Sequence, residues 1–236
     1  MYKTFLKAEW RKLAIANYAV DKSVLEKYIP ANTEIDLWNN TCFISLVGFM
    51  FINTKVFGIQ IPFHVNFEEV NLRFYVRYNK QGEWRRGVVF IREIVPKPLI
   101  TLVARNFYNE NYITMPMKHS WNNVAQNLAV EYQWKKKDWN TFKILAGNTK
   151  SPIGEGTEEE FITEHYWGYT KLNQARTSEY GVEHPRWEVY PAKDFTIDVD
   201  FANVYGSEFG FLSHEKPVSV FLAEGSEIRV KRGEII

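Results

Sequence analysis

Cysteine is almost absent from this 236-residue chain. The single Cys42 excludes an intrachain disulfide and fits a reducing compartment. Its place beside Ile44-Ser45-Leu46-Val47 reads as strand packing, because a reactive thiol needs an electropositive neighbourhood. An excess of either charge is missing as well: 29 Lys and Arg against 28 Asp and Glu leave a formal net charge of +1. That balance supplies no field to draw in nucleic acid or an anionic membrane, so neither is expected as a partner. The longest basic run, Lys135-Lys136-Lys137, reads as a solvated hairpin turn.

Long apolar runs are lacking too. The most apolar stretch, residues 43–52, is interrupted by Gly48 and falls well short of the roughly 20 residues needed to span a bilayer. Lys3, Lys7, Glu9, Arg11 and Lys12 break any apolar core of signal-peptide length, and the expected location is the cytoplasm. There is no GxGxxG, no Walker phosphate loop and no GxSxG elbow, and the five histidines show no HExxH spacing. No cofactor and no metal are therefore expected. Repeats and low-complexity linkers are also missing, which leaves one domain over residues 1–236.

What the chain does have is aromatic mass. Its 17 Phe, 13 Tyr and 8 Trp make up 16% of the residues, a composition that favours broad packed strands. Residues 34–57 read as strand, with a turn at Asn39-Asn40. In the extended segment ending at Val76, Glu69, Asn71, Arg73 and Tyr75 share one face while Val70, Leu72, Phe74 and Val76 share the other. A turn at Asn79-Lys80-Gln81-Gly82 leads into a second strand, residues 87–95, predicting an antiparallel hairpin. Residues 112–145 alternate as hairpin strands, with Val130, Tyr132 and Trp134 opposite Glu131, Gln133 and Lys135.

Helices are predicted over Asp21–Pro30, over Leu99–Asn111, from a capping box at Thr157–Glu160 to about Tyr166, and near Val199–Val204. Residues 146–156 read as a loop. Residues 217–231 read as a closing hairpin turning at Glu224-Gly225-Ser226.

These segments resemble a known family. Trp10-Arg11-Lys12-Leu13 with Tyr18, Leu25 with Pro30, Phe43-Ile44-Ser45-Leu46-Val47, and the block from Pro62 through His64, Asn66-Phe67, Glu69-Val70-Asn71-Leu72-Arg73 and Tyr75-Val76 carry the likeness. Ala104-Arg105, Tyr108, Tyr112, residues 161–169 and His184-Pro185 with Trp187 add to it. Over most of its length the chain is similar to the YqjF-like family of uncharacterised bacterial proteins, in the acetoacetate-decarboxylase-like superfamily.

The resemblance implies a β-rich α+β fold, an antiparallel cone-like β-barrel with helices packed outside and a cavity within. In the decarboxylase a cavity lysine forms a Schiff base with a β-keto acid, activated by a cationic neighbour; that chemistry belongs to that enzyme. Carried over by resemblance, Glu69 is the pocket glutamate. Arg92-Glu93-Ile94 followed by Pro96-Lys97 is similar to the stretch where an Arg-Glu pair precedes Pro-Lys-Lys. Pro98 stands where the second lysine would be, so the doublet that lowers the lysine pKa is absent.

Three readings follow. The first is an organic-acid-binding protein that uses Glu69, Asn71, Arg73, Tyr75, His64 and Glu93, with Glu69 and Arg73 pairing across four residues. The second is a lyase-like enzyme with Lys97 and Glu69 as catalytic residues. The third is a ligand-free structural or interaction domain, including a homodimer through exposed Trp134 and Trp139. Tyr108 and Tyr112, four apart, are candidates for a pocket mouth.

Overall fold

In the computed structural model, which describes residues 4–236 apart from the side chains of Phe107 and Tyr108, strands dominate. In chain order they are β1 (Thr4–Ala19), β2 (Thr33–Ile35), β3 (Phe43–Val56), β4 (Phe67–Lys80), β5 (Glu83–Val95), β6 (Tyr112–Thr114), β7 (Met117–Val124) and β8 (Asn127–Lys135). Then come β9 (Trp139–Gly147), β10 (Ser151–Pro152), β11 (Trp167–Lys171), β12 (Thr177–Glu183), β13 (Glu188–Tyr190), β14 (Ala192–Asp198), β15 (Ser219–Lys231) and β16 (Glu234–Ile235). The helices are α1 (Pro98–Tyr108), α2 (Glu158–Thr163) and α3 (Phe201–Tyr205). This is a β-rich α+β fold. Among the described residues, no helix is long and apolar enough to cross a membrane.

The larger sheet runs β10-β13-β15-β1-β3-β4-β5-β11-β12-β16, with β2 on β4 and β6 on β5. β12 also meets β15, at Val182–Val230 and Glu183–Arg229. The second sheet is β14-β9-β8-β7. The β4–β5 hairpin turns at Gln81 (φ 56°) and Gly82 (φ 94°), the paired positive φ values that match a two-residue turn to strand twist. The Asn79 side-chain oxygen accepts from the Gly82 amide at 2.8 Å.

Packing answers the question that alternation leaves open on β4, because both faces are buried. Val70, Leu72, Phe74 and Val76 are fully buried in one apolar cluster with Val130, Tyr132, Trp134, Phe142 and Ile144 of the second sheet. Each such side chain contributes about 1.5–3 kcal/mol relative to exposure. The opposite face carries Glu69, Asn71, Arg73 and Tyr75, all buried. Close approach of the sheets requires Gly48: a Cβ there would lie 2.9 Å from Tyr132 Cδ2. Trp134 shares the inward face with Val130 and Tyr132, so it is 0% exposed and offers no dimer surface, while Trp139 is 41% exposed.

Several elements differ from expectation. The predicted Asp21–Pro30 helix is two 3-10 turns, Lys22–Val24, capped by Asp21, and Glu26–Tyr28; the segment is too short to sustain an α-helix before Pro30. Predicted at Leu99–Asn111, α1 starts on Pro98 and ends at Asn109 in the left-handed region. In α2 the Thr157 hydroxyl accepts from the Glu160 amide as predicted, but the Glu160 carboxylate accepts from the Gly156 amide. The predicted hairpin over 217–231 is instead one strand, β15, paired with β1 throughout. Gly225 (φ 80°) permits a close approach rather than a reversal, since a Cβ there would fall 2.0 Å from the Trp10 carbonyl oxygen.

Candidate ligand-binding site

The buried polar face of β4 opens onto a cavity of about 120 Å³. That is room for a small organic molecule rather than one water. Its walls are mainly apolar and include Phe49, Phe51, Phe90 and Trp167, with Ile100, Val103 and Ala104 of α1 covering one side.

Glu69, Asn71 and Arg73 reach the cavity from β4, and Glu93 reaches it from β5. Asn71 and Glu93 are cross-strand partners, whereas Arg73 pairs with Phe90. A regular strand would set Phe90 and Glu93, three residues apart, on opposite faces. The bulge between these pairs absorbs one residue and lets both line the cavity. Arg92 accordingly turns outward and donates to the Val204 carbonyl of α3.

Segments far away in sequence complete the site. After α1, the chain is tied back by Arg105 Nε donating to the Tyr112 carbonyl at 2.7 Å and by Asn111 Nδ2 donating to the Ile91 carbonyl at 2.6 Å. This presents Glu110 and Tyr112 to the cavity. Glu69 accepts from Asn71 Nδ2 at 2.9 Å and from the Tyr112 hydroxyl at 2.8 Å, and Glu110 accepts from the Tyr180 hydroxyl of β12 at 2.9 Å. Gly168 of β11 makes room for that tyrosine, since a Cβ there would come 2.2 Å from Tyr180 Cζ.

Burial dominates the electrostatics of this trio. The Glu69 carboxyl is pushed up to about 7 by burial, against the hydrogen bonds from Asn71 and Tyr112 and the attraction of Arg73. Glu110 is likewise raised to about 7, first by burial. Glu93 is raised well above the carboxylate range by burial and by the charges of Glu110 and Glu69. Near neutral pH the carboxyls therefore share protons as a group.

His165, in the segment between α2 and β11, also lines the cavity. Its Nε2 lies 3.2 Å from Asp36 Oδ2, which accepts from Arg86 Nε at 2.6 Å. Burial lowers the imidazole to about 4, so it is neutral at pH 7. His184, also in the lining, stacks on Trp187 with ring centroids 4.4 Å apart, and burial lowers its pKa too.

Arg73 is 8% exposed. Among the described residues its guanidinium makes no hydrogen bond or ion pair, and its Nε is buried without a partner. It lies over the Tyr75 ring at 5.7 Å. The expected Glu69–Arg73 ion pair does not form; the two groups interact only through the field that Arg73 exerts on Glu69.

Of the residues singled out from sequence, the cavity brings together Glu69, Asn71, Arg73 and Glu93. Tyr75, His64 and Lys97 are not among its lining. Tyr75 lies behind His165, 4.7 Å between ring centroids, and its hydroxyl is 2.7 Å from Ser45 Oγ. His64 sits in the loop before β4 with Nδ1 2.8 Å from the Pro62 carbonyl oxygen. Lys97 precedes Pro98 as the N-cap residue of α1, and its charge acts on Glu68, which alternates to the side of β4 away from Glu69. Tyr108 lies outside the described side chains. Glu110 and Tyr180 carry no local signal in the sequence, His165 falls in the 161–169 segment of the family likeness with no role attached to it, and Tyr112 stands among the pocket-mouth candidates.

The family DUF2071, described as "Uncharacterized conserved protein (COG2071)", matches residues 7–227 of the chain. The "Uncharacterized protein YqjF" of Bacillus subtilis (strain 168) is 30% identical over 134 residues, 56% of this chain and 52% of that protein. The match thus spans about half the length of that relative. Among solved structures, acetoacetate decarboxylase from Legionella pneumophila superposes with a TM-score of 0.66 at 12% identity, covering 98% of this chain and 87% of that one. The enduracididine biosynthesis enzyme MppR complexed with pyruvate gives 0.68 at 9% identity, covering 100% and 91%. An acetoacetate decarboxylase-like enzyme from Sphingomonas wittichii RW1 gives 0.66 at 10% identity, covering 99% and 94%. At these identities the likeness is one of fold.

Proposed function

We propose that this chain, which belongs to the DUF2071 family, binds a small organic acid in the cavity beside β4, with Arg73 receiving the carboxylate. The observation that carries the reading is the buried guanidinium, which lines a cavity and has no hydrogen-bonding or ionic partner among the described residues. An isolated buried charge costs several kcal/mol. A carboxylate ligand offsets that cost through paired N–H···O contacts that match the planar guanidinium. Glu69, held by Asn71 and Tyr112, stands on the same strand face and orients the rest of the acid.

The cavity is taken to lie inside a cone-like barrel formed by β15-β1-β3-β4-β5-β11-β12. The supporting feature is the β12–β15 contact that joins the two ends of that order. Among the described residues no lysine lines the cavity, which favours the binding reading over Schiff-base chemistry. Pyruvate in a protein of similar fold is in keeping with a small carboxylic acid as ligand.

The test is a thermal-shift screen of a carboxylic-acid library against the wild type and Arg73→Ala. At least one acid is expected to raise the wild-type melting temperature and to lose that effect in the variant. Removing an interaction of this kind costs about 1.5–3 kcal/mol, a tenfold or greater loss of affinity. Equal shifts in a folded Arg73→Ala variant refute the role of Arg73.

A further inference from the structure

The cavity holds more acceptors than a simple acid can use. Three carboxyl groups, Glu69, Glu93 and Glu110, converge on it against a lone guanidinium among the described residues. The protein's own donors satisfy both oxygens of Glu69 and one of Glu110. Still unpartnered and buried are Asn71 Oδ1, Glu93 Oε2 and His165 Nδ1. Asn71 is 1% exposed and Glu93 is 2% exposed. Buried polar atoms of this kind are ordinarily paired, and three orphan atoms on residues that line one cavity can all accept from a group rich in N–H donors once Glu93 gives up its proton.

Resting on the organic-acid reading above, we infer that the acid also carries a protonated amine, seated against Glu93, Glu69 and Asn71 while its carboxylate meets Arg73. An ammonium offers three donors and no acceptor, matching what the acidic side of the cavity lacks. Its positive charge balances the carboxylates that Arg73 leaves uncompensated. The aromatic and aliphatic walls take an apolar body. The ligand class is therefore an apolar amino acid or a close relative.

Charge linkage gives the two classes opposite pH dependence. The titratable groups facing the ligand are the three glutamates, Tyr112 of β6, Tyr180 of β12, and His165 and His184, which are neutral at pH 7. The tyrosine hydroxyls donate to Glu69 and Glu110, and burial keeps the Tyr112 hydroxyl protonated. As pH rises from 6 to 8 Glu69 and Glu110 lose protons. An acid lacking an amine is then repelled, whereas an amino acid is held more tightly and releases protons on binding.

Calorimetric titration of the full chain with the common L-amino acids and their des-amino counterparts, leucine against 4-methylpentanoate among them, tests this. At least one amino acid is expected to bind tenfold or more tightly than its des-amino partner, with affinity rising from pH 6 to pH 8. Glu93→Gln, checked for folding by its ligand-free melt, is expected to abolish that preference. Equal or tighter des-amino binding that weakens with pH, or a preference untouched in Glu93→Gln, overturns the amine and leaves the organic-acid reading standing. If no acid of either class binds the wild type, both readings fall.

Discussion

Replacing Glu69 with Gln should turn a pH-dependent cost of folding into a constant. Glu69 is 2% exposed, and its carboxyl moves from an ordinary 4.5 up to about 7 because burial outweighs two hydrogen bonds and the pull of Arg73. The folded state thus holds this proton more tightly than the unfolded chain does. Its contribution to stability is fully present below pH 4.5 and is lost as pH rises through 7. At 1.36 kcal/mol per pH unit, the interval between those values corresponds to roughly 3 kcal/mol. Glutamine copies the protonated acid in shape and never ionises, so the variant escapes the loss. Glu69 also raises Glu93 and Glu110, so the gap should equal or exceed that figure. Urea unfolding of wild type and Glu69→Gln at pH 4 and pH 8 measures it: the stability difference should move by roughly 3 kcal/mol toward the variant. Subtracting the two proteins cancels the opposite trend of His165, whose depressed pKa of about 4 contributes stability above pH 6.5 that is lost on acidification. A difference that is flat with pH, or that moves toward the wild type, refutes the assignment of a buried, proton-holding Glu69.

Other perturbations address the site and its support. Borohydride reduction in the presence of acetoacetate should leave the protein mass unchanged, because Lys97 caps α1 away from the cavity lining; an adduct at Lys97 would overturn that placement. Trp134→Ala removes a fully buried indole between the sheets and should cost about 3–5 kcal/mol in denaturant unfolding, a loss that a surface tryptophan would not produce. Gly168→Ala sets a methyl against the Tyr180 ring and should destabilise by about 1–3 kcal/mol while weakening acid binding through Glu110. An unchanged unfolding midpoint and affinity would exclude that contact.

Local rules made the scaffold around β4 readable. Gln81-Gly82 specifies the hairpin, and strict alternation puts Glu69, Asn71 and Arg73 together, as found. Alternation says nothing about what lies beyond each face, and here the second sheet covers one side as completely as the cavity walls cover the other. Glu93 entered the sequence reading through the family likeness, but its inward aim depends on a bulge that no residue there announces. Glu110, Tyr180 and His165 arrive through pairings between distant segments, which is tertiary information. Gly225 misled because glycine serves reversal and close approach equally well, and the Trp10 carbonyl decides between them only once β1 and β15 are side by side.

The double burial of β4 also bears on how such a protein can diversify. Its side chains at 70, 72, 74 and 76 answer to a rigid slab and those at 69, 71 and 73 to a hollow, so drift at the second set can retune chemistry while the first keeps the framework standing. The partition has a vulnerability: inserting or deleting a single residue upstream on that strand would exchange the two sets at once, sending charges into the slab and aliphatics into the hollow.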